Sequence, residues 1–97
     1  MNRCEFEGRL SGVAVARELP SGDVILSFRL VVPRAEGGRV DTIDCAVLSP
    51  RLRRTLARME AGTKVAVVGE LQRRFWRAAS GVNSRYEVVV VALRRLR

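Results

Sequence analysis

The single tryptophan of the sequence lies among arginines, and this combination of side chains has the clearest chemistry in the chain. Trp76 follows Arg73 and Arg74 and precedes Arg77, within the stretch Gly69 to Gly81. Read as a strand, the stretch places Trp76 on the same face as Arg74, opposite an apolar face. A flat aromatic ring beside guanidinium groups can stack a nucleobase while the cations hold the flanking phosphates. The alternative is that Trp76 closes the open end of a barrel and that the arginines are merely solvated.

Side chains that support catalysis or metal binding are absent or badly spaced. The sequence has no histidine, the commonest general base, and no CxxC pair that could hold a metal. Asp41 and Asp44 are three residues apart in a strand-like segment, so they point to opposite faces and do not form a close carboxylate pair. Cys4 and Cys45 lie in apolar strand-like segments, which favours reduced core thiols. We therefore expect no enzymatic activity, no metal and no cofactor.

Length and charge narrow the class of protein further. The 97 residues predict one domain, residues 1–97, whose small core would gain stability from association with another copy. The formal charge of +8, from 18 basic and 10 acidic side chains, favours a polyanionic partner, with nucleic acid the leading candidate. No apolar run is long enough to span a membrane, and the N-terminus does not look like a signal peptide. We expect a cytoplasmic, nucleoid-associated protein.

Hydrophobic alternation predicts five strands and one helix. The predicted strands are Arg3 to Leu10 with a possible extension over Val13 to Glu18, Val24 to Val32, Val40 to Leu48, the segment from Lys64 through Trp76, and Ser84 to Leu93. The helix begins at Ser49-Pro50, carries one apolar stripe of Leu52, Leu56 and Met59, and ends before Gly62. This order predicts a mainly all-β fold, a five-stranded antiparallel OB-fold barrel with its helix between the third and fourth strands.

The same alternation makes four finer predictions about the strands. Gly8 in the middle of the first strand indicates a barrel corner or a close backbone approach. Phe75 falls on the apolar, core-facing side of its strand, together with Leu71. Ala78 to Asn83 is predicted to be a loop. Val88 to Val91 is apolar on both faces, which predicts a strand covered on both sides.

With these segments laid out, the chain resembles the bacterial single-stranded DNA-binding protein family over nearly its whole length. The matching pieces, in order, are MNRCEFEGRL, the turn PSG, SFRLVV, D-x-I-D-C-A-V, AGTKVAVVGELQRRFW and YEVVVVALRRL. The most specific piece is G-x-L-x-x-R-x-W, formed here by Gly69, Leu71, Arg74 and Trp76. Single motifs of this kind are modest signals, but their order and spacing together are a strong one.

The resemblance implies a non-enzymatic OB-fold that binds single-stranded DNA without sequence preference in replication, recombination or repair. It also implies association into a homo-oligomer, a dimer or a tetramer. In this family the tryptophan matching Trp76 stacks on a base, and we assign Arg74, Arg29, Arg3 and Arg9 to the path of the DNA backbone. Arg3 and Arg9 could instead flank a subunit interface formed by the first strands. Single-stranded RNA is a second candidate partner, since stacking and phosphate contacts do not distinguish the sugar.

The sequence departs from the family in its aromatic residues and at its end. Ile43 and Ser49 stand where family members carry stacking aromatics, and Tyr86 is a candidate replacement. The sequence ends at Arg97 without the acidic tail that recruits repair enzymes in the family. This points to an accessory or shortened relative. The competing hypothesis is an OB-fold used mainly for protein interaction, like the primosomal replication protein of the B type, with weak nucleic-acid binding.

Overall fold

The structure, a computed structural model, describes residues 1–97 as six strands and one helix. In chain order these are β1 (Cys4–Leu10), β2 (Val15–Glu18), β3 (Val24–Pro33), β4 (Val40–Val47), α1 (Pro50–Ala57), β5 (Lys64–Ala78) and β6 (Gly81–Arg95). The helix has eight residues, and no helix of the protein is long and apolar enough to cross a membrane.

Five of the strands form a closed barrel in the order β1-β5-β6-β4-β3, and β3 pairs back onto β1. The helix lies between β4 and β5, which are the third and fourth barrel strands, so the predicted OB-fold is confirmed. Two details differ from the prediction. Val15 to Glu18 does not continue β1 but forms the separate strand β2, which pairs with β3. The barrel is not wholly antiparallel, because β4 and β6 make a short parallel contact at Cys45 and Val88.

The barrel closes at Gly8, as its position in the strand predicted. Beyond this residue β1 turns from β5 toward β3, where Leu10 pairs with Leu30. A Cβ atom built on Gly8 would overlap the carbonyl oxygen of Val31. Only glycine therefore lets the two backbones come this close.

A compact set of apolar side chains fills the barrel. Its ten buried members are Leu10, Phe28, Leu30, Cys45, Val47, Leu56, Val65, Val67, Val88 and Val90. Leu56 comes from α1 and closes one end of the barrel, with Leu52 and Met59 packed partly against the same core, as the predicted stripe required. Cys4 and Cys45 are free thiols, and burial raises the pKa of Cys45 to about 12.

The start of α1 matches its predicted signals, whereas its end comes early. Ser49 is the N-cap, and its hydroxyl accepts a hydrogen bond of 3.4 Å from the backbone N–H of Leu52. Pro50 occupies the first helical turn, where its missing N–H costs nothing. The helix ends at Ala57, and the chain turns before Gly62, whose φ is +87°.

The predicted loop at Ala78 to Asn83 is wrong, because β5 and β6 stay paired almost to their junction. Ala78 pairs with Gly81, which leaves a two-residue turn, and Gly81 adopts a φ of +121°. Each of these strands has 15 residues, more than the barrel needs. The surplus, residues 71–87, projects beyond the barrel as a two-stranded hairpin, which we term the arm.

The structure corrects three burial predictions, two in the arm and one at a bulge of β6. Phe75 and Leu71 lie on the predicted side of β5, but they are 59% and 44% exposed because no core lies beneath the arm. Val91 is 55% exposed. It sits at a bulge, where Val68 pairs with Ala92 and the next residue, Gly69, pairs with Val90. The prediction that Val88 to Val91 is covered on both faces therefore fails at its last residue.

Candidate nucleic-acid interface

The arm has two faces that carry different side chains. Paired residues of an antiparallel ladder point to the same side, so the register of β5 and β6 assigns each residue to a face. The Trp76 face carries the pairs Gln72–Glu87, Arg74–Arg85 and Trp76–Asn83. The Tyr86 face carries the pairs Arg73–Tyr86, Phe75–Ser84 and Arg77–Val82.

A groove of about 440 Å³ lies beside Trp76, and we term it the Trp76 groove. Its lining residues are Arg17, Arg74, Phe75, Trp76 and Arg85. The three arginines come from three different strands, β2, β5 and β6. Trp76 is 43% exposed, so a ligand can reach its ring. The groove therefore combines an accessible aromatic surface with three guanidinium groups, as stacking on a base and binding of phosphate require.

A buried carboxylate lies next to two of these arginines. Glu87 is 6% exposed, and its Oε1 and Oε2 atoms lie 3.8 Å from Arg74 Nη1 and 3.9 Å from Arg85 Nη2, respectively. Glu87 does not line the Trp76 groove. The carboxylate thus lowers the local positive charge without occupying the space that a ligand would fill.

A second, smaller groove of about 260 Å³ adjoins the first through Arg85, which lines both. This groove also contains Ser27, Arg29 and Asp44 from β3 and β4. Arg29 Nε donates a hydrogen bond of 3.2 Å to Asp44 Oδ1. The predicted site residues Arg29, Arg74 and Trp76 are in this way brought onto one continuous surface.

On the Tyr86 face one guanidinium lies over two aromatic rings. The Arg73 guanidinium carbon is 4.9 Å from the centre of the Phe75 ring and 5.5 Å from that of Tyr86. Arg73 also donates two hydrogen bonds, of 3.1 and 3.0 Å, to the Ser84 hydroxyl across the hairpin. Phe75 and Tyr86 are 59% and 58% exposed. Cation–π contacts thus organise a second aromatic surface, on the opposite side of the arm from Trp76.

The remaining predicted arginines lie elsewhere. Arg77 is exposed near the tip of the arm, on the Tyr86 face. Arg3 precedes β1, with its guanidinium 3.4 Å from the carboxylate of Glu5, and Arg9 lies on β1 opposite Lys64. Both residues are outside the two grooves.

Sequence reasoning missed Arg17, Arg85 and the accessibility of Phe75. The two-residue turn makes Arg85 the partner of Arg74, a pairing that the predicted loop at Ala78 to Asn83 hides. No comparable signal marks Arg17, since its strand has only four residues. The two positions without the family's aromatics have structural roles, because Ile43 packs against the core and Ser49 caps α1.

A five-stranded OB barrel whose cationic groove holds an accessible aromatic ring defines the class of OB-folds that bind oligonucleotides. Comparison with known proteins identifies the family within this class. The model of the single-strand binding protein family matches residues 1–96, and the chain belongs to this family.

Among solved structures, a similar one is described as "Plasmodium falciparum SSB complex with ssDNA". The two chains superpose with a TM-score of 0.83 at 20% sequence identity, over 100% of this chain and 96% of the other. This likeness shows that the fold is shared. No curated protein matches the sequence.

Proposed function

We propose that this protein binds single-stranded DNA without sequence preference and catalyses no reaction. Membership of the single-strand binding protein family supports the ligand, and the Trp76 groove supports the mode of binding. In this proposal a base stacks on Trp76 while Arg17, Arg74 and Arg85 hold the flanking phosphates. The observation that carries it is the convergence of three strands on one accessible ring. The stacking contact and the three phosphate contacts are compatible with any base, because none of them involves the edge of a base.

Two features extend the proposed path beyond the Trp76 groove. Arg85 leads into the smaller groove, where Arg29 offers a further phosphate contact. Around the arm, Phe75 and Tyr86 offer rings for one or two more bases, with Arg73 and Arg77 beside them. These rings would compensate for the aromatics missing at Ile43 and Ser49.

We also propose that the protein works as a homo-oligomer, either a dimer or a tetramer. Only 14 of the 97 residues are buried in the single chain, which is a small core for a stable domain. Light scattering during size-exclusion chromatography measures the mass directly. A mass equal to one chain at micromolar concentration would contradict this part of the proposal.

The direct test of binding uses the fluorescence of Trp76, which reports a single place because the chain has no other tryptophan. The protein is titrated with oligothymidine at low and at moderate salt. The oligothymidine is longer than the stretch that one OB-fold covers, which is about 4–16 nucleotides. We expect quenching that saturates, with an affinity that falls as salt rises, by a log–log slope of about −0.7 per neutralised phosphate.

Two further outcomes of the titration are informative. The same experiment with oligouridine compares RNA with DNA, and equal affinities would extend the proposal to single-stranded RNA. Absence of quenching at low salt, where arginine–phosphate contacts are strongest, would contradict it. The protein would then share the family's fold without its activity.

A further inference from the structure

Glu87 is the one buried acidic residue of the protein, and its surroundings leave it incompletely satisfied. Its side chain is 7% exposed, and Oε2 has no hydrogen-bond partner. The two nearest guanidinium nitrogens, at 3.8 and 3.9 Å, are beyond hydrogen-bonding distance. A buried carboxylate is costly unless it is paired and hydrogen-bonded. The packing of the arm alone does not account for it, since an apolar side chain would fill this place at lower cost.

The position of Glu87 relative to the Trp76 groove suggests a reason for its presence. Arg17, Arg74 and Arg85 line the groove together, and three like charges this close repel one another. Glu87 lies beside two of them, on the same face of the hairpin, and attracts both. These contacts are longer than hydrogen bonds, and Arg74 Nη1 and Arg85 Nε are buried without a hydrogen-bond partner. The Arg74 and Arg85 side chains are nevertheless 25% and 40% exposed, so their outer donors are available to an acceptor in the groove.

We infer that Glu87 is a positioning residue for single-stranded DNA, which holds the guanidinium groups of Arg74 and Arg85 side by side beneath the strand so that both can donate to phosphate. This inference rests on the proposed function. It concerns a residue that lies outside the groove and acts on the ligand only through the two arginines.

The inference and the net charge predict opposite effects of a Glu87 substitution on the affinity for DNA. Replacing Glu87 with glutamine raises the formal charge from +8 to +9, which by long-range attraction alone would tighten binding to a polyanion. If Glu87 positions the arginines, the same substitution lets them separate and weakens binding. Glu5 provides the matched control. It is exposed, pairs with Arg3 outside both grooves, and its replacement adds the same charge.

The experiment measures the affinity of wild type, Glu87→Gln and Glu5→Gln for labelled oligothymidine across a salt series. We expect Glu5→Gln to bind as tightly as wild type or slightly more tightly. We expect Glu87→Gln to bind about tenfold more weakly, with a log–log salt slope smaller by about 0.7, because one phosphate contact is lost. Equal or tighter binding by Glu87→Gln, with an unchanged slope, would overturn the inference.

Two controls keep the result interpretable. If Glu87→Gln does not fold, as judged by thermal melting, Glu87→Asp retains the charge on a shorter side chain that reaches the two arginines less well. We expect it to bind more weakly than wild type, and wild-type affinity in a folded Glu87→Asp protein would overturn the inference. Failure of wild type itself to bind would instead contradict the proposed function, so the two failures are distinguishable.

Discussion

Substitution of Trp76 by alanine separates stacking from charge in the proposed interface. The ring is 43% exposed and stands on an arm without a core beneath it, so its removal should change the melting temperature little. Stacking of a base on an aromatic side chain is worth ~1–3 kcal/mol, which corresponds to a loss of affinity of about 5-fold to 150-fold. The substitution leaves the net charge unchanged. The salt slope should therefore be that of wild type, with log K displaced by the same amount at every salt concentration.

The assay must use a labelled oligothymidine and fluorescence anisotropy, because the variant has lost the only intrinsic tryptophan signal. Trp76→Phe is the matched control, since it keeps a flat ring at the same position and should lose much less affinity. Unchanged affinity in Trp76→Ala would show that the strand does not pass over this ring. A changed salt slope would show that the substitution disturbs the arginines, so that the loss could not be assigned to stacking.

Three further predictions test other parts of the structure. Phe75→Ala and Tyr86→Ala should each weaken oligothymidine binding, but by less than the tryptophan substitution, because Arg73 already covers one face of each ring. Unchanged affinity in anisotropy titrations would show that the DNA does not pass along this side of the arm. Gly8→Ala should destabilise the fold by about 1–3 kcal/mol through overpacking at the barrel closure, whereas Gly12→Ala, with open space around its Cβ, should melt like wild type. With its pKa raised to about 12 by burial, the Cys45 thiol stays protonated at pH 8 and should resist alkylation until the protein is unfolded, which mass spectrometry of the modified protein would show.

The barrel could be predicted from the sequence because its residues follow simple local rules. Leu10 of β1 and Phe28 and Leu30 of β3 occupy alternating apolar positions of their strands, and all three are buried in the core. Ser49-Pro50 predicted the start of the helix through capping chemistry that involves neighbouring residues only. Gly8 signalled a close approach, although only the structure shows that the approaching group is the backbone of β3.

The arm could not be predicted in the same way, because alternation assigns a side chain to a face but does not say what covers that face. Phe75 lies on the side of β5 that is buried at Val65 and Val67, yet it is exposed because the strand has left the barrel. The length of the arm depends on the turn at Ala79-Ser80, which the sequence pattern assigns to a longer loop. Once β6 continues from Gly81, Arg85 must lie opposite Arg74, and the second half of the groove follows.

Net charge is a poor guide to how the protein would hold a polyanion, because it does not show which arginines are already paired. Several arginines already have an acidic partner within the protein: Arg29 bonds to Asp44, and Arg34 donates two hydrogen bonds to Asp41, whose pKa is lowered by that contact. The salt slope reflects the counterions that leave the DNA when arginines neutralise its phosphates. An arginine whose donors are already hydrogen-bonded to a carboxylate has fewer donors left for phosphate, so it contributes less to the slope. The slope should therefore count the guanidinium groups that the fold leaves available to phosphate. The formal charge of +8 gives no such count.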